Sequence, residues 1–444
     1  FNVRTFCSKP FSAERKTSII TTLGPSCSSE SMIRQMLLEG ANCMRVNFSH
    51  GSFQDKSEVI STLRRVLQEF RDQDEPIDWS DGSNESACAI LADLKGPEIR
   101  TGNTLSSDVM IQAGENLEFT TNIKEANECR ADKIFVDYEA FCSDLAKAQA
   151  SRPTDQLPLS IFVDDGLLQF EVVDIISDSV VKARAVNSGP LSSKKGVNLP
   201  GVVTSLPSVT ERDKKDIAFA VKELRVDYVA ASFVRRQEHV EELRTILNDL
   251  GGSNVRLISK IENQEGLDNY PGILEASDGV MVARGDLGIE VPVERVFSAQ
   301  KNLIRQANLA GKLSICATQM LESLRTNPRP TRAEVSDVGN AVLDGCDSCM
   351  LSGETASGRY PLKAIRVMSQ VVREAETMIN YPREFALLER DLSTSLSKFS
   401  SIESLAFSTV AASFKLNAPL IIVHHRSNNR NHESGRLCRH LARF

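Results

Sequence analysis

The sequence predicts an α/β protein: a closed (β/α)8 barrel (TIM barrel), interrupted by a small β-barrel insertion and followed by a partial α/β domain. Short apolar runs alternate with amphipathic stretches of helical period, and several runs end in polar residues. The stretch between the third and fourth runs is far longer than an ordinary loop and has a strand-like pattern of its own. At 444 residues the chain is long enough for about two to four domains.

The apolar runs predict the barrel strands, at 18–23, 43–49, 87–94, 228–233, 256–262, 279–284, 313–319 and 346–352. Amphipathic helices are predicted between them, for example at 29–39, 238–250, 293–309 and 332–343. Repeated units of an apolar strand and a covering helix are the pattern of a closed parallel barrel.

The predicted barrel covers residues 16–100 and 196–375. Residues 101–195 contain short alternating runs with turn signals, which predict an inserted all-β domain. Because barrel enzymes place their chemistry in the loops that follow the strands, we expect this domain to act as a lid. Residues 1–15 are predicted as an N-terminal tail. Residues 376–444 have helical stretches and one predicted strand, 420–424, which is too little for a sheet, so we expect a partial C-terminal domain.

Composition excludes several classes of protein. The formal net charge of −7 argues against a nucleic-acid binder, which usually carries a basic face. No apolar run is long enough to predict a membrane span. The ten cysteines are scattered rather than grouped as a disulfide framework, which favours reduced thiols and a cytoplasmic location. Cys346 and Cys349 form a CxxC inside an apolar run, and we expect them in the core rather than at a zinc or redox site.

The end of the fifth run predicts a charged site. Lys260 and Glu262 are two residues apart, so both side chains point to one face of a strand. Asp286, after the next run, brings a second carboxylate to the same rim. Two carboxylates with a lysine and no histidine suit Mg²⁺ better than zinc, because Mg²⁺ prefers carboxylate and substrate oxygens. A buried ion pair without ligands is the alternative interpretation of Lys260 and Glu262.

Ten segments in order surround these residues: TTLGPS (21–26), MRVNFSHG (44–51), ADLKGPEIRTG (92–102), VDDGL (163–167), SKKGVNLPG (193–201), SKIEN (259–263), MVARGDLG (281–288), ATQMLES (317–323), RPTRAEVSDV (329–338) and MLSGETA (350–356). Together they resemble the pyruvate kinase family over roughly residues 16–375. The resemblance implies a phosphotransferase that moves the phosphoryl group of phosphoenolpyruvate to ADP, giving pyruvate and ATP in the last step of glycolysis.

The resemblance also implies a role for each site residue. The divalent metal, Mg²⁺ or Mn²⁺, would be bound by Glu262 and Asp286. Catalysis would involve Lys260, Thr318 and Arg45. Substrate binding would involve Arg45, Lys260, Gly285, Asp286 and Thr318. Nucleotide binding would involve Asn47, Phe48, Ser49, His50, Arg100 and Lys195. A K⁺ ion would be held by Asn47, Ser49, Asp93 and the carbonyl of Leu94.

Two features depart from the family. Position 94 is Leu where many K⁺-dependent members have Thr, whereas Glu98 fits K⁺ dependence, so we expect K⁺ to be needed. The C-terminal domain is shorter than in the family, where it supplies a subunit interface and, in regulated members, a sugar-bisphosphate site. Residues 424–428 lack the Ser/Thr-rich pattern of that site, so we expect no activation by fructose bisphosphate. The family forms homo-oligomers, and the sequence leaves the oligomeric state of this chain open.

Two other functions compete with an active kinase. A truncated isoform could act as a regulatory or binding partner, although the retained Lys260, Glu262, Asp286 and Thr318 argue against lost chemistry. Another barrel enzyme, an aldolase or lyase that uses phosphoenolpyruvate or an enolate with Mg²⁺, would have no need of the inserted domain as a nucleotide lid. The sequence has no GxxxxGK[ST] motif, which argues against a P-loop kinase.

Overall fold

The structure, a computed structural model, describes residues 15–72, 88–106, 109–153, 158–395, 401–418 and 421. Its strands are β1 (Ser18–Thr22), β2 (Cys43–Asn47), β3 (Ala89–Asp93), β4 (Ile99–Arg100), β5 (Val109–Ile111), β6 (Asn116–Thr120), β7 (Lys133–Phe135), β8 (Ser160–Val163), β9 (Leu168–Ser177), β10 (Val180–Ala185), β11 (Gly189–Leu191), β12 (Gly196–Asn198), β13 (Tyr228–Ala231), β14 (Arg256–Ile261), β15 (Gly279–Ala283), β16 (Leu313–Ala317) and β17 (Ser348–Leu351).

The α-helices are α1 (Glu30–Leu38), α2 (Phe53–Asp72), α3 (Phe141–Ser151), α4 (Glu211–Lys222), α5 (Gln237–Asp249), α6 (Gln264–Asp268), α7 (Tyr270–Ala276), α8 (Arg284–Glu290), α9 (Val293–Leu309), α10 (Arg332–Leu343), α11 (Gly353–Ala356), α12 (Pro361–Thr377), α13 (Tyr381–Ser395) and α14 (Ser401–Leu416). Two of the predicted helices, 293–309 and 332–343, agree with α9 and α10 at both ends.

Eight parallel strands close into a barrel in the order β1-β17-β16-β15-β14-β13-β3-β2. Strand β15 is buried along its whole length, because side chains fill the barrel interior and helices cover its outer face. The interior core includes Ile20, Leu91, Ile258 and Met281. The predicted barrel is therefore confirmed.

A second, larger core lies between the barrel strands and the surrounding helices, and it contains both Cys346 and Cys349. The Sγ atoms of these two cysteines are 3.7 Å apart, and both side chains are buried, as the apolar run predicted. Helices α4 and α10 each begin with a capping box, in which the N-cap threonine and an acidic residue three positions later satisfy each other's backbone N–H groups. These caps fix where two of the covering helices start.

The region from β4 to β12, called the inserted region below, lies between β3 and β13. It forms a seven-stranded sheet in the order β4-β12-β8-β9-β10-β6-β7, with a two-stranded sheet of β5 and β11. A bridge between Thr101 and Val136 joins the continuations of the two edge strands, so the large sheet curls into a small barrel. Its core is separate from those of the large barrel and includes Phe119, Phe141 and Phe170. Because β4 and β12 are neighbours, the chain enters and leaves this region at one place.

Helices α13 and α14 pack together after the barrel, through Phe385, Phe407 and Val410. The predicted strand 420–424 lies outside the described residues apart from Ile421, as do the segment 424–428 and the tail 1–14. Across the part of the chain that is described, no helix has both the length and the apolar character needed to cross a membrane.

Candidate active site

Lys260, on strand β14, lies in a cluster of buried charges at the C-terminal end of the barrel. The Nζ of Lys260 lies 2.8 Å from Glu262 Oε1 and 3.4 Å from Asp93 Oδ1, and it donates a hydrogen bond of 2.7 Å to Ser232 Oγ. Burial acts to lower the pKa of Lys260, but the carboxylates of Asp93, Glu262 and Asp286 outweigh burial and raise it. The side chain is therefore a fixed positive charge in a site of low dielectric.

Glu262 is 1% exposed, and its two carboxylate oxygens differ. Oε2 accepts a hydrogen bond from the N–H of Phe233, a residue in the left-handed region at φ 55°. Oε1 is buried and forms an ion pair with Lys260 Nζ at 2.8 Å, and no other described residue donates to it. Burial raises the pKa of Glu262 to about 7, with Lys260 lowering it and Asp286 raising it. A carboxylate oxygen whose one described partner is an ammonium, beside a second carboxylate, fits a hard divalent cation such as Mg²⁺.

Arg45 extends the cluster from β2. Its Nε donates to Asp93 Oδ2 at 2.7 Å, and its Nη1 donates to Thr22 Oγ1 at 2.9 Å. Burial acts to raise the pKa of Asp93, but Lys260 and Arg45 outweigh burial and lower it, so this carboxyl stays ionised. One buried carboxylate thus holds two cationic side chains in place at the rim.

The four predicted K⁺ ligands lie at the ends of β2 and β3. Asn47 and Asp93 are register partners on the two adjacent strands. Asn47 Oδ1 accepts a hydrogen bond of 2.9 Å from Ser49 N, and the carbonyl of Leu94 accepts one of 2.8 Å from Ser232 Oγ. Carboxylate, amide, hydroxyl and carbonyl oxygens in one place form a donor set that suits a hard cation.

The start of α8 faces Thr318, the residue after β16. The N–H of Gly285 donates to Thr318 Oγ1 at 2.6 Å, and a Cβ on Gly285 would lie 3.3 Å from the same oxygen. Thr318 has φ 70°, and Arg284 Nη2 donates to its carbonyl at 2.9 Å. The absence of a side chain at Gly285 and the unusual backbone of Thr318 allow this close approach.

A cavity of about 1190 Å³ separates the inserted region from the barrel rim. Among the residues that line it are His50, Arg100, Lys195 and Asp286. Lys195 Nζ lies 3.0 Å from Asp164 Oδ1, so this cation belongs to a partly exposed ion pair. The lining contains acidic as well as cationic side chains, and Arg100 pairs with Glu98 at 2.5 Å. The cations are the groups that would contact the phosphates of a ligand.

Phe48 differs from the other predicted nucleotide contacts. Its ring is 1% exposed and packs edge-on against Phe53 and Phe219, and its carbonyl accepts a hydrogen bond of 3.0 Å from Arg212 Nη2. A contact between Phe48 and a ligand would therefore come from its backbone.

Comparisons with known proteins agree with this geometry. Residues 14–365 match the family described as "Pyruvate kinase, barrel domain". This chain belongs to the pyruvate kinase family. It is 45% identical to a pyruvate kinase of Hypocrea jecorina over 92% of this chain and 71% of the relative. It is 43% identical to pyruvate kinase 1 of Saccharomyces cerevisiae over 92% and 76% of the two chains. For a pyruvate kinase of Schizosaccharomyces pombe the identity is 42%, over 96% and 77%.

Within this pyruvate kinase site the structure adds residues that sequence reasoning missed. Ser232 bridges Lys260 and the carbonyl of Leu94, and it follows β13. The rule that polar residues end barrel strands would have found Ser232. Asp165, in a turn of the inserted region, is near enough to Asp286 that burial and this second carboxylate raise its pKa. No local sequence pattern predicts that Asp165 lies near Asp286 of the barrel.

Proposed function

We propose that this chain transfers the phosphoryl group of phosphoenolpyruvate to ADP with the residues of the rim. The observation that carries this proposal is the buried charge cluster around Lys260, which has Asp93 and Arg45 on one side and Glu262 on the other. Phosphoryl transfer needs fixed positive charge around the phosphoryl oxygens, and a buried, desolvated ammonium supplies it strongly.

Glu262 and Asp286 would hold Mg²⁺ or Mn²⁺, which neutralises negative charge on substrate oxygens when it is bound. The buried Oε1 of Glu262, whose one described partner is the Lys260 ammonium, supports this assignment. Each carboxylate also acts on the pKa of Lys260, which means that the three charges share one small space.

Lys260 would stabilise both the phosphoryl group and the enolate oxygen that its departure leaves behind. Arg45 would contact the phosphoryl group from the opposite strand. The Asp93 carboxylate keeps both cations oriented, because its two oxygens face the two side chains. Removing either cation would leave buried negative charge without a partner.

The N–H groups of Gly285 and Asp286 would bind the substrate carboxylate, which would take the place of Thr318 Oγ1 on the Gly285 N–H. The Thr318 hydroxyl, held 2.6 Å from its own strand's last carbonyl, Ala317 O, would then lie beside the substrate. Thr318 would take part in bringing a proton to the methylene carbon of the enolate. Gly285 is suited to this position because any side chain there would crowd the threonine.

Asn47, Ser49, Asp93 and the Leu94 carbonyl would hold K⁺. Their oxygen donors and the hydrogen bonds that orient them support this assignment. We expect activity to depend on K⁺, and equal activity in a buffer containing only Na⁺ would contradict it.

His50, Arg100 and Lys195, which line the cavity, would contact the phosphates of ADP. Asn47, Phe48 and Ser49, which directly precede His50, would also take part in nucleotide binding. Closing the inserted region over the site would exclude water, which otherwise competes with ADP for the phosphoryl group. A cytoplasmic location is proposed as well, since all eight cysteines among the described residues are free thiols.

The alternative function, that of a truncated isoform acting as a regulatory or binding partner, is not favoured. The chain keeps the charged residues that the reaction needs, and relatives named pyruvate kinase match more than nine-tenths of it. A coupled assay of pyruvate formation from phosphoenolpyruvate and ADP, with Mg²⁺ and K⁺, tests the proposal. We expect turnover that falls by about 10²- to 10³-fold in Lys260→Met. A wild-type chain that binds both substrates and forms no pyruvate would contradict it.

A further inference from the structure

A hydrogen bond joins the inserted region to the helix at the substrate site. Asn198 is the last residue of β12, on which the chain leaves the inserted region, and Glu290 is the last residue of α8. Asn198 Nδ2 donates to Glu290 Oε1 at 2.9 Å. The backbone N–H of Leu199 also acts on this carboxyl and lowers its pKa. Two consecutive residues of the exit segment therefore interact with one side chain of the barrel.

The residue preferences of helix ends do not explain a carboxyl at position 290. Glu290 lies at the C-terminal end of its helix, where the helix dipole disfavours negative charge. Burial raises the pKa of Glu290 to about 7, the bonds from Asn198 and Leu199 lower it, and nearby Asp286 raises it further. The hydrogen bond from Asn198 therefore offsets part of the cost of placing this carboxyl here.

The two elements that this bond joins carry different parts of the proposed site. Strand β12 follows directly after Lys195, the proposed contact to the ADP phosphates, and Asn198 ends that strand. Helix α8 begins at the residues proposed to bind the substrate carboxylate and the divalent metal, Gly285 and Asp286. A short strand and a short helix, linked at their last residues, connect the nucleotide contact to the substrate contact.

We propose that Glu290 is a positioning residue which, through Asn198, couples the position of the inserted region to that of α8. Binding of ADP at Lys195 then favours the arrangement of α8 that binds phosphoenolpyruvate, and the reverse holds by reciprocity. The inference rests on the proposed function of the site, and it adds a residue pair at the wall of the cavity between the inserted region and the rim.

The experiment reverses the hydrogen bond in the full chain. Asn198→Asp places a carboxylate against Glu290 and removes the donor. Glu290→Gln replaces the carboxyl that accepts from Asn198 with an amide. In the combined variant N198D/E290Q, the introduced amide N–H can donate to the introduced carboxylate. Each single substitution is expected to raise the KM for ADP about tenfold, the effect of losing one buried hydrogen bond. The combined variant should recover most of this loss.

The decisive readout is the coupling between substrates. The KM for ADP is measured at low and at saturating phosphoenolpyruvate, and the ratio of the two values reports how strongly one substrate favours the other. The single variants should bring this ratio towards one, and the combined variant should restore it. Asn198→Ala removes the donor without adding charge, and it gives the same measurement if N198D does not fold.

Glu171→Gln is the matched control. Glu171 pairs with Arg184 at 2.6 Å inside the inserted region, so this variant makes the same carboxyl-to-amide change without touching α8. Its ratio should equal that of the wild type. Single variants that keep the wild-type ratio, or that lose only thermal stability, would overturn the proposal. Failure of the proposed function is distinguishable, because the wild-type chain itself would then form no pyruvate.

Discussion

The two ends of the barrel use polar side chains differently. At the N-terminal end, the residue just before every second barrel strand accepts a hydrogen bond from the backbone N–H of the second residue of the barrel strand before it. The pairs of acceptor and donor are Asn42 with Ile19, Asp227 with Ile90, Asp278 with Leu257, and Asp347 with Ser314. The four bonds are 2.7–2.9 Å long. These side chains satisfy the backbone where the strands begin.

At the C-terminal end the charged side chains face one another instead. Lys260 lies between two carboxylates, at 3.4 Å from Asp93 Oδ1 and 2.8 Å from Glu262 Oε1. The contrast agrees with the general division of labour in such barrels, in which one end serves stability and the other chemistry. Substitutions at the two ends should therefore change different measured quantities.

The largest effect is expected for Lys260→Met. It removes the buried ammonium, so kcat should fall by about 10²- to 10³-fold, as for other single electrostatic stabilisers. The measurement is steady-state kinetics at saturating substrates. Lys222→Met, an exposed lysine in the last turn of α4, is the control and should keep wild-type kcat. Equal losses in both variants would remove the distinction between the rim and the rest of the barrel.

Glu262→Gln should weaken the binding of the divalent metal. We expect the Mg²⁺ concentration for half-maximal activity to rise at least about tenfold, because an amide oxygen is a weaker ligand than a carboxylate. A Mg²⁺ titration of activity measures the change. Glu275→Gln makes the same change at an exposed position of α7, and its titration should overlay that of the wild type.

Lys195→Met tests whether the partly exposed cation of the inserted region differs from the buried cations of the rim. Loss of one charge-assisted contact should raise the KM for ADP about tenfold, with a smaller effect on kcat. Lys124→Met, an exposed lysine in the same region, should leave the KM unchanged. A loss of kcat as large as that of K260M would mean that Lys195 acts in the chemical step.

The smallest effect on activity is expected for Asp278→Asn, which should lower the free energy of unfolding by about 1–3 kcal/mol while kcat is kept. Burial acts to raise the pKa of Asp278, but the Leu257 N–H and the guanidinium groups of Arg244 and Arg256 outweigh burial and lower it. A carboxyl with a lowered pKa stabilises the fold above its unfolded pKa of about 4.

That stabilisation is lost as the pH falls through the lower pKa of the folded state. The difference between wild type and D278N should therefore be complete at neutral pH and shrink in acid. Urea unfolding at several pH values measures it. A difference that stays constant with pH would contradict the assigned role of the carboxylate.

Much of the fold and the rim could be predicted because short-range patterns encode them. The spacing of Lys260 and Glu262 gives one face of a strand, and apolar runs give the barrel. Strand ends were less predictable. The predicted strand 313–319 ends at Ala317, because Thr318 and Gln319 have positive φ. The pattern of residue types does not show where the strand ends and where the turn that contains Thr318 begins.

The individual hydrogen-bonded pairs between distant segments were harder to predict than the membership of the rim. Ser232 reaches Lys260 from another strand, and Asn198 meets Glu290 across 92 positions of sequence. The acceptors at the N-terminal end, such as Asp278, look like ordinary loop residues until the barrel brings the neighbouring strand beside them. Such pairs follow from closure of the barrel and not from local sequence.

The most direct test compares K260M and D278N side by side, with kcat expressed per folded molecule and the free energy of unfolding measured for each. K260M should lose about 10²-fold or more in kcat per folded molecule. D278N should lose stability and keep kcat. If D278N loses kcat per folded molecule as severely as K260M, or if K260M keeps it, the assignment of chemistry to the C-terminal end is contradicted.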